Sequence, residues 1–328
     1  MKKLVVIVLA LLVIFLFAIG LGSVYIPHAD ILRVVLYRFF GAGENIPGVY
    51  AIVWELRLPR ALLAFIVGAA LSVSGAVMQS VLRNPLASSF TLGVSSGASL
   101  GAALVIFAGM SALFSLPTAG FLFGMAAIVL AIALATKMDG RLENNTIILV
   151  GMVLSLFVNA ITTMLMALRR EYMEQLIFWQ MGSFSMRGWE AVAILAPVAI
   201  AGVLFILFYH RELDIMTFGE SEAQLIGVNM RRTKWLLLVA SAALTGSAIA
   251  FVGIIGFVDL VAPHVVRRAF GARHRLLIPM SAVVGGGFMM LCDMIARTIL
   301  PVGELPVGVV SALVGAPFFA YVYFARRG

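Results

Sequence analysis

The chain has 328 residues, of which 62% are hydrophobic and only 12% are charged, about half the charged share usual in soluble domains. A soluble protein of this length would need far more polar surface, so the soluble class is excluded. The net charge of +8 does not indicate nucleic-acid binding, because the basic residues flank apolar blocks, as membrane topology requires. The single cysteine, Cys292, excludes an internal disulfide and a cysteine metal cluster.

The apolar residues form nine clear blocks, each near the roughly 17–25 residues with which a helix crosses the ~30 Å hydrocarbon core. The blocks cover residues 4–24, 61–81, 92–108, 116–136, 147–168, 190–209, 235–254, 277–296 and 306–325. The first block could be a signal peptide, but it is longer than a signal core and lacks a clear cleavage site, so we predict an uncleaved span. A tenth block, near 256–270, is short and carries Asp259, Pro263 and His264.

The topology is predicted from the even number of spans and from the distribution of Lys and Arg residues. With ten spans both termini share one side, and the basic pairs Lys2-Lys3 and Arg326-Arg327 then agree with each other. That side receives 15 of the 23 Lys and Arg residues and the other side receives 8. The positive-inside rule therefore predicts a multi-pass protein of the cell membrane with both termini in the cytoplasm. No break in composition divides the chain, so residues 1–328 are predicted to form a single domain.

Two loops are long enough to do more than connect spans. The predicted outer loop, 25–60, is expected to hold a short helix from about Ala29 to Phe39. The predicted inner segment, 211–234, is polar but contains Ala223, Leu225 and Ile226 at helical spacing, which indicates a short amphipathic helix outside the membrane. Such a helix needs a partner to cover its apolar side; the alternative is a solvated connecting loop.

A faint internal repeat is also present. The segment Ala69-Ala70-Leu71-Ser72-x-Ser74 resembles Ala242-Ala243-Leu244-Thr245-x-Ser247, in spans predicted to run in opposite directions. Inverted repeats recur in transporters, where two halves rock around a central path. The match is short and consists of small residues, so chance is the alternative.

Few residues carry candidate chemistry. The chain has no phosphate-binding G-x-x-x-x-G-K-[ST] loop, no protease or esterase motif, and four scattered histidines, so we predict no catalytic residue and no metal site. A charge inside a span is costly, and Asp293 lies four residues before Arg297 on one helical face. This pair is either structural or part of a docking or gating site.

Blocks spread over almost the whole chain, in the same order, resemble the permease subunits of type II ABC importers, the vitamin B12 and iron-siderophore or haem group. The resemblance rests on Arg57-Leu58-Pro59-Arg60, residues 68–102, Phe178-Trp179-x-x-Gly182-Ser183, residues 253–258 with Pro263-His264-x-x-Arg267, Glu304-Leu305-Pro306-x-Gly308 and Gly315-Ala316-Pro317-x-Phe319.

The resemblance implies an all-α permease of ten transmembrane helices that works as a homodimer by alternating access. Two copies of a separate ATPase would bind ATP and Mg on the cytoplasmic face, and a substrate-binding protein would dock outside. This chain would then hold no cofactor and would not be an enzyme. The implied substrate is a ferric siderophore, haem or a corrinoid (vitamin B12), with an oxyanion as the further alternative on this scaffold.

The resemblance also assigns roles to residues. The inner segment would insert into the ATPase through Gly219, Glu220, Glu222, Ala223, Leu225, Gly227 and Val228. Arg57, Arg60 and Arg297 would receive acidic residues of the binding protein. A cytoplasmic gate would be formed by Asn144, Asn145 and Thr146, and the path would be lined by Met152, Ser155 and Asn159.

One residue departs from the family pattern. Asp259 stands where the family usually has glycine. A carboxylate there is expected near the outer mouth, within reach of water, where it would either change substrate preference or pair with an outer arginine. The rival to the importer hypothesis is a secondary transporter driven by an ion gradient, for which Asp293 is the candidate coupling carboxylate.

Overall fold

The computed structural model describes residues 2–22, 24–41, 47–110, 115–139, 142–300 and 302–324, and all regular structure in these ranges is helical. The α-helices are α1 (Lys2–Gly20), α2 (His28–Phe40), α3 (Pro47–Tyr50), α4 (Leu58–Val81), α5 (Val94–Phe107), α6 (Ser115–Met138), α7 (Asn144–Leu168), α8 (Met173–Met181), α9 (Gly188–Phe208), α10 (His210–Met216), α11 (Glu220–Leu225), α12 (Met230–Val252), α13 (Val258–Phe270), α14 (His274–Thr298) and α15 (Val307–Phe324).

The predicted all-helical, multi-span class is confirmed, and about ten crossings are compatible with the helices that the structure describes. Six helical segments are long and apolar enough to cross a membrane, namely 47–81, 115–138, 144–168, 188–208, 230–252 and 274–298. Three shorter apolar helices, α1, α5 and α15, match the other predicted blocks. The tenth predicted block corresponds to α13, whose 13 residues extend only about 20 Å, less than the thickness of the hydrocarbon core.

Two faces of the helical bundle can be defined from contacts between distant segments. Arg60 at the start of α4 contacts Glu304, just before α15, so we name this side the Arg60 face. Glu220 of α11 contacts Lys234 near the start of α12, and we name this side the Glu220 face. Lys3 at the N-terminus donates a hydrogen bond to the carbonyl of Ala269 at the α13–α14 turn, which lies on the Glu220 face.

Small residues allow α4 and α14 to pack unusually closely. A Cβ atom on Gly68 would collide with the carbonyl of Gly285, and one on Gly285 would collide with Gly68 and Ser72. In lipid, where the hydrophobic effect does not drive helices together, such close approach supplies the packing energy. Helix α4 is accordingly buried along almost its whole length and forms the centre of the bundle.

The repeated segments lie against each other in the structure. Ser74 of α4 and Thr245 of α12 share a hydrogen bond of 2.7 Å, and the Ser74 hydroxyl also donates to the carbonyl of Ser241. The end of α4 and the start of α12 line one pocket on the Glu220 face, so the two helices are antiparallel. The polar residues of the repeat therefore join the two helices inside the bundle.

The polar segment after α4 is irregular backbone held by its own side chains. Asn84 accepts a hydrogen bond from the amide of Leu86, and the Ser88 hydroxyl accepts one from the amide of Phe90. Thr91 accepts from the amide of Ser88 and donates to its carbonyl. Non-helical backbone at membrane depth requires such partners, which explains the run of polar residues at 84–91.

The structure corrects the expected position of Asp259. The residue does not reach water near the Arg60 face; it is only 3% exposed and packs against the half of α4 that leads to the Glu220 face. Its backbone lies where a Cβ on Gly75 would be, and its carbonyl accepts a hydrogen bond from the Gln79 side chain at 3.0 Å. The expectation failed because the non-helical residues 253–257, which include Gly253 and Phe257 with positive φ, separate α12 from α13, and α13 then packs Asp259 against α4.

The predicted inner segment holds two short helices, α10 and α11, rather than one. Helix α12 begins at Met230, five residues before the predicted start of the span, because Asn229 caps it by accepting a hydrogen bond from the amide of Arg232. Lys234 is consequently part of the transmembrane helix, and it is 1% exposed. In the outer loop, α2 confirms the predicted short helix.

Candidate functional site

The three arginines predicted for docking converge on one pocket of the Arg60 face. The pocket has a volume of about 400 Å³ and is lined by Arg57, Arg60 and Arg297 together with Glu304. Arg57 and Arg60 lie at the junction where a π-helical turn, Ala51–Arg57, leads into α4, and Arg297 lies in the last turn of α14. The tertiary structure thus brings residues 240 positions apart to a single basic site.

Arg60 is the centre of this cluster. It forms ion pairs of 2.8 Å with Asp293 and 2.8 Å with Glu304, and Arg297 lies 3.6 Å from Asp293. The predicted pair of Asp293 and Arg297 is therefore present, but Arg60 is the closer partner of the carboxylate. Three guanidinium groups face two carboxylates, so the pocket keeps an excess positive charge.

Arg57 occupies a different environment. It is 6% exposed, and its guanidinium donates to the carbonyls of Ile19 at 3.0 Å, Gly20 at 2.8 Å and Val24 at 2.5 Å. Ile19 and Gly20 are the last two residues of α1, whose carbonyls have no helical donor, and Val24 lies just beyond the helix. Arg57 therefore ties the end of α1 to the start of α4, and its docking role stays a prediction.

Glu304 lies in the loop before α15, and its pKa is lowered. Partial burial opposes the charged carboxylate, but hydrogen bonds from Arg60 and from the Ser185 hydroxyl, at 2.6 Å, stabilise it more. The positive charges of Arg60 and Arg297 act in the same direction. Glu304 is thus held in its charged form at the rim of the pocket.

The predicted ATPase-coupling residues form a small projection on the Glu220 face. Gly219 has φ of +145°, a conformation suited to glycine, and it starts α11. Within α11, Ala223 is buried and anchors the helix, whereas Leu225 is 88% exposed and Ile226 just after it is 65% exposed. Phe218, which sequence reasoning missed, precedes α11 and is 75% exposed. Three large apolar side chains in and next to α11 are therefore exposed to solvent.

The predicted gate lies next to this projection. Asn144 and Asn145, at the start of α7, line a pocket of about 1130 Å³ that is also lined by Arg83, Glu220 and Glu222. Thr146 follows them in the same first turn and is partly exposed. The structure thus brings residues of the predicted gate and of the predicted coupling segment to one pocket.

The predicted path residues lie on the open side of α7. The buried side of the helix, with Ile147, Gly151 and Val158, packs on its neighbours. Met152 and Asn159 are exposed, and Ser155 lies at the margin, where its hydroxyl donates to the carbonyl of Gly151.

Two polar connections on the Glu220 face were not predicted. His274 lies 2.7 Å from Asp214 of α10 and 2.7 Å from the hydroxyl of Ser80 of α4. Lys234 donates to Glu220 and to the carbonyl of Leu142. Sequence spacing could not reveal these contacts, because their members are 14 to 194 residues apart.

The model of the FecCD transport family matches residues 10–325. The chain belongs to this family. A cobalamin import system permease protein of Halobacterium salinarum is 38% identical over 288 residues, which cover 88% of this chain and 76% of that protein. A molybdate import system permease protein of Haemophilus influenzae is 34% identical over 313 residues, covering 94% and 91%.

Among solved structures, an inward-facing conformation of a metal-chelate type ABC transporter superposes with a TM-score of 0.87 at 31% identity, covering 99% of both chains. The FecCD chain is therefore a permease of the type II ABC importer kind, as the motifs predicted. Permeases of this family work with an ATPase and a binding protein. Among the residues that the structure describes, no group of three or more His, Cys, Asp or Glu could hold a metal ion.

Proposed function

We propose that two copies of this chain form the permease of an importer that moves a bulky chelate, namely a ferric siderophore, haem or a corrinoid, into the cytoplasm by alternating access. A separate ATPase binds ATP and Mg and supplies the energy. A binding protein delivers the substrate to the Arg60 face.

The polar residues on the open side of α7 carry this proposal. Asn159 and Thr163 are exposed there, in line with Met152 and Leu156 at helical spacing. The open side of α9, by contrast, presents Ile200, Leu204, Phe208 and other apolar side chains. Exposing an amide side chain to hydrocarbon is energetically costly. The apolar open side of α9 is therefore suited to contact with lipid, whereas the open side of α7 is suited to a water-filled path lined by protein. A second copy facing α7 would enclose such a path.

The orientation follows from charge. The Glu220 face holds Lys3, Arg83 and the basic residues at the start of α12, and the positive-inside rule assigns such a face to the cytoplasm. The coupling projection then faces the cytoplasm and the arginine pocket faces outward. A multi-pass protein of the cell membrane with both termini inside is the result.

The coupling projection supports an ATPase partner. Leu225, Ile226 and Phe218 are exposed at the tip of a short helix beyond the membrane, where neither lipid nor the rest of the chain covers them. Apolar clusters of this kind mark protein–protein contacts. The acidic residues Glu220 and Glu222 of the same helix would add negatively charged groups to this contact.

The arginine pocket supports docking of an acidic partner. Its excess positive charge attracts carboxylates, and a carboxylate of the binding protein would compete with Glu304 for Arg60. Docking would thereby loosen the contact between α4 and the loop before α15. Arg60 is better placed for this role than Arg57, whose guanidinium is retained by three carbonyl partners. Arg297 is also retained, because it is 8% exposed and donates a hydrogen bond to the carbonyl of Ala18.

The side chains of α7 favour a bulky chelate over a small oxyanion. Its exposed residues are mainly Leu149, Met152, Leu156 and Met164, with no Lys or Arg from Asn144 to Leu168. An anion such as molybdate would gain from fixed positive charge, whereas a large chelate passes weakly interacting walls. Asp293 is paired with Arg60, which disfavours the ion-gradient alternative.

Uptake into proteoliposomes tests the proposal. The chain is reconstituted with its ATPase, loaded with ATP inside, and supplied outside with binding protein and radiolabelled haem, cyanocobalamin, a ferric siderophore or molybdate. We expect ATP-dependent uptake of one chelate or corrinoid and none of molybdate. Uptake of molybdate alone would refute the substrate class, and uptake driven by an ion gradient without ATP would refute the importer mechanism.

A further inference from the structure

Lys234 is a charged side chain in a place where charge is expensive. It lies one turn into α12 and is 1% exposed. Burying an ammonium group costs several kcal/mol unless it is paired and hydrogen-bonded. Lys234 meets both conditions, since its Nζ atom is 2.6 Å from a carboxylate oxygen of Glu220 and 2.7 Å from the carbonyl oxygen of Leu142.

The two partners belong to different functional segments. Glu220 is the first residue of α11, which carries the exposed apolar projection. Leu142 lies two residues before Asn144 and has φ of +55°, which is uncommon for a leucine; we name residues 142–143 the gate turn. The Leu142 side chain is fully buried, so this residue is held in a defined position.

The ammonium is a direct connection between these segments. Residues of both segments also line the pocket of about 1130 Å³, namely Glu220, Glu222, Asn144 and Asn145. The stem of Lys234 is held by α12, which is joined to α4 by the hydrogen bond between Thr245 and Ser74. A displacement of α11 must therefore either draw the ammonium along, and with it the Leu142 carbonyl, or break a charge-assisted hydrogen bond.

We propose that Lys234 is a positioning residue that transmits movement of α11 to the gate turn before α7, so that ATPase motion opens or closes the gate at Asn144 and Asn145. This inference rests on the proposed function, because it requires an ATPase on the Glu220 face. Lys234 itself touches neither substrate nor nucleotide. Its effect passes through Glu220 on one side and Leu142 on the other.

A paired neutral variant separates transmission from simple structural support. Replacing both members of a buried ion pair by neutral side chains of similar volume is often harmless to folding, whereas removing one member is not. We would therefore compare the wild type with Lys234→Met combined with Glu220→Gln. The control is Lys137→Met, which removes an exposed basic residue at the end of α6, on the same face.

The measurement is the number of substrate molecules imported per ATP hydrolysed, at saturating ATPase and binding protein. Loss of a charge-assisted hydrogen bond is expected to lower this ratio about tenfold in the paired variant. Lys137→Met should keep the wild-type ratio, and Lys234→Arg, which retains donors toward both partners, should recover most of it. A paired variant that assembles normally and keeps the wild-type ratio would overturn the proposal.

Exchanging the charges gives a second test. In Lys234→Glu combined with Glu220→Lys the ion pair can re-form, but residue 234 no longer donates to the Leu142 carbonyl. We expect no recovery of the ratio, since the connection to the gate turn is missing. Full recovery would mean that the ion pair alone matters and would overturn the role of Leu142.

A direct probe of the gate distinguishes the two proposals. Asn145→Cys, in a chain carrying Cys292→Ser, is labelled with a maleimide in the absence and presence of a non-hydrolysable ATP analogue. The nucleotide-dependent change in labelling rate should be lost in the paired variant, and its persistence there would overturn the transmission role. If the wild-type complex imports nothing and nucleotide leaves the labelling unchanged, the proposed function itself fails.

Discussion

The exposed apolar tip of α11 offers the most direct test of ATPase coupling. Leu225 is 88% exposed, so changing it to serine removes almost no contact within this chain. Complete burial of a leucine side chain stabilises a complex by about 1.5–3 kcal/mol. If the ATPase covers the exposed fraction, Leu225→Ser should weaken binding by about 1.3–2.6 kcal/mol, or about 10- to 80-fold in Kd.

Affinity would be measured between the detergent-solubilised chain and its labelled ATPase. Leu32→Ser is the matched control, because Leu32 of α2 is 59% exposed but lies on the Arg60 face. Both variants should keep the wild-type Tm, since neither side chain is packed. Equal affinity of wild type and Leu225→Ser for the ATPase would refute the assignment of α11. A similar loss in Leu32→Ser would show that the effect is not specific to the Glu220 face.

Three further predictions follow from single contacts. Gly75→Ala places a Cβ against the backbone of Asp259 and should destabilise the chain by about 1–3 kcal/mol, seen as a lower Tm, whereas Gly256→Ala, with open space beside it, should not. Asn159→Leu should leave Tm unchanged but lower uptake if α7 lines a watered path; unchanged uptake would place this side against lipid. The pKa of Glu304 is lowered on folding, so its stabilising contribution is present above the unfolded pKa of 4.5 and is lost as pH falls through the folded pKa. Glu304→Gln should therefore lower Tm at pH 7, and the difference in Tm from the wild type should shrink as the pH falls below 4.5.

Much of the fold follows from the sequence alone. The length of each apolar block limits it to one crossing, because a helix rises 1.5 Å per residue and the hydrocarbon core is about 30 Å thick. The pairing of Asp293 with Arg297 was also predictable, since residues four apart lie on one helical face. The order of the short motifs along the chain predicted the family, and the family model confirmed it.

The connections between segments were decided by tertiary structure. Asp293 lies closer to Arg60 than to Arg297, and Lys234 is buried between Glu220 and Leu142. Helical periodicity shows which side of a helix is apolar, but not which helix will pack there. Partners separated by 92 or 233 residues are therefore invisible in the pattern.

Asp259 shows the same limit for depth in the membrane. Its position in the sequence placed it near the end of a span, and hydropathy could not tell a regular helix from a non-helical segment followed by a short helix. The structure buries it against α4 because residues 253–257 are non-helical and α13 begins only at Val258. The sequence by itself determined that the chain is a multi-span helical membrane protein and to which family it belongs. Packing decided which polar groups meet, because such contacts depend on the positions of whole helices relative to one another.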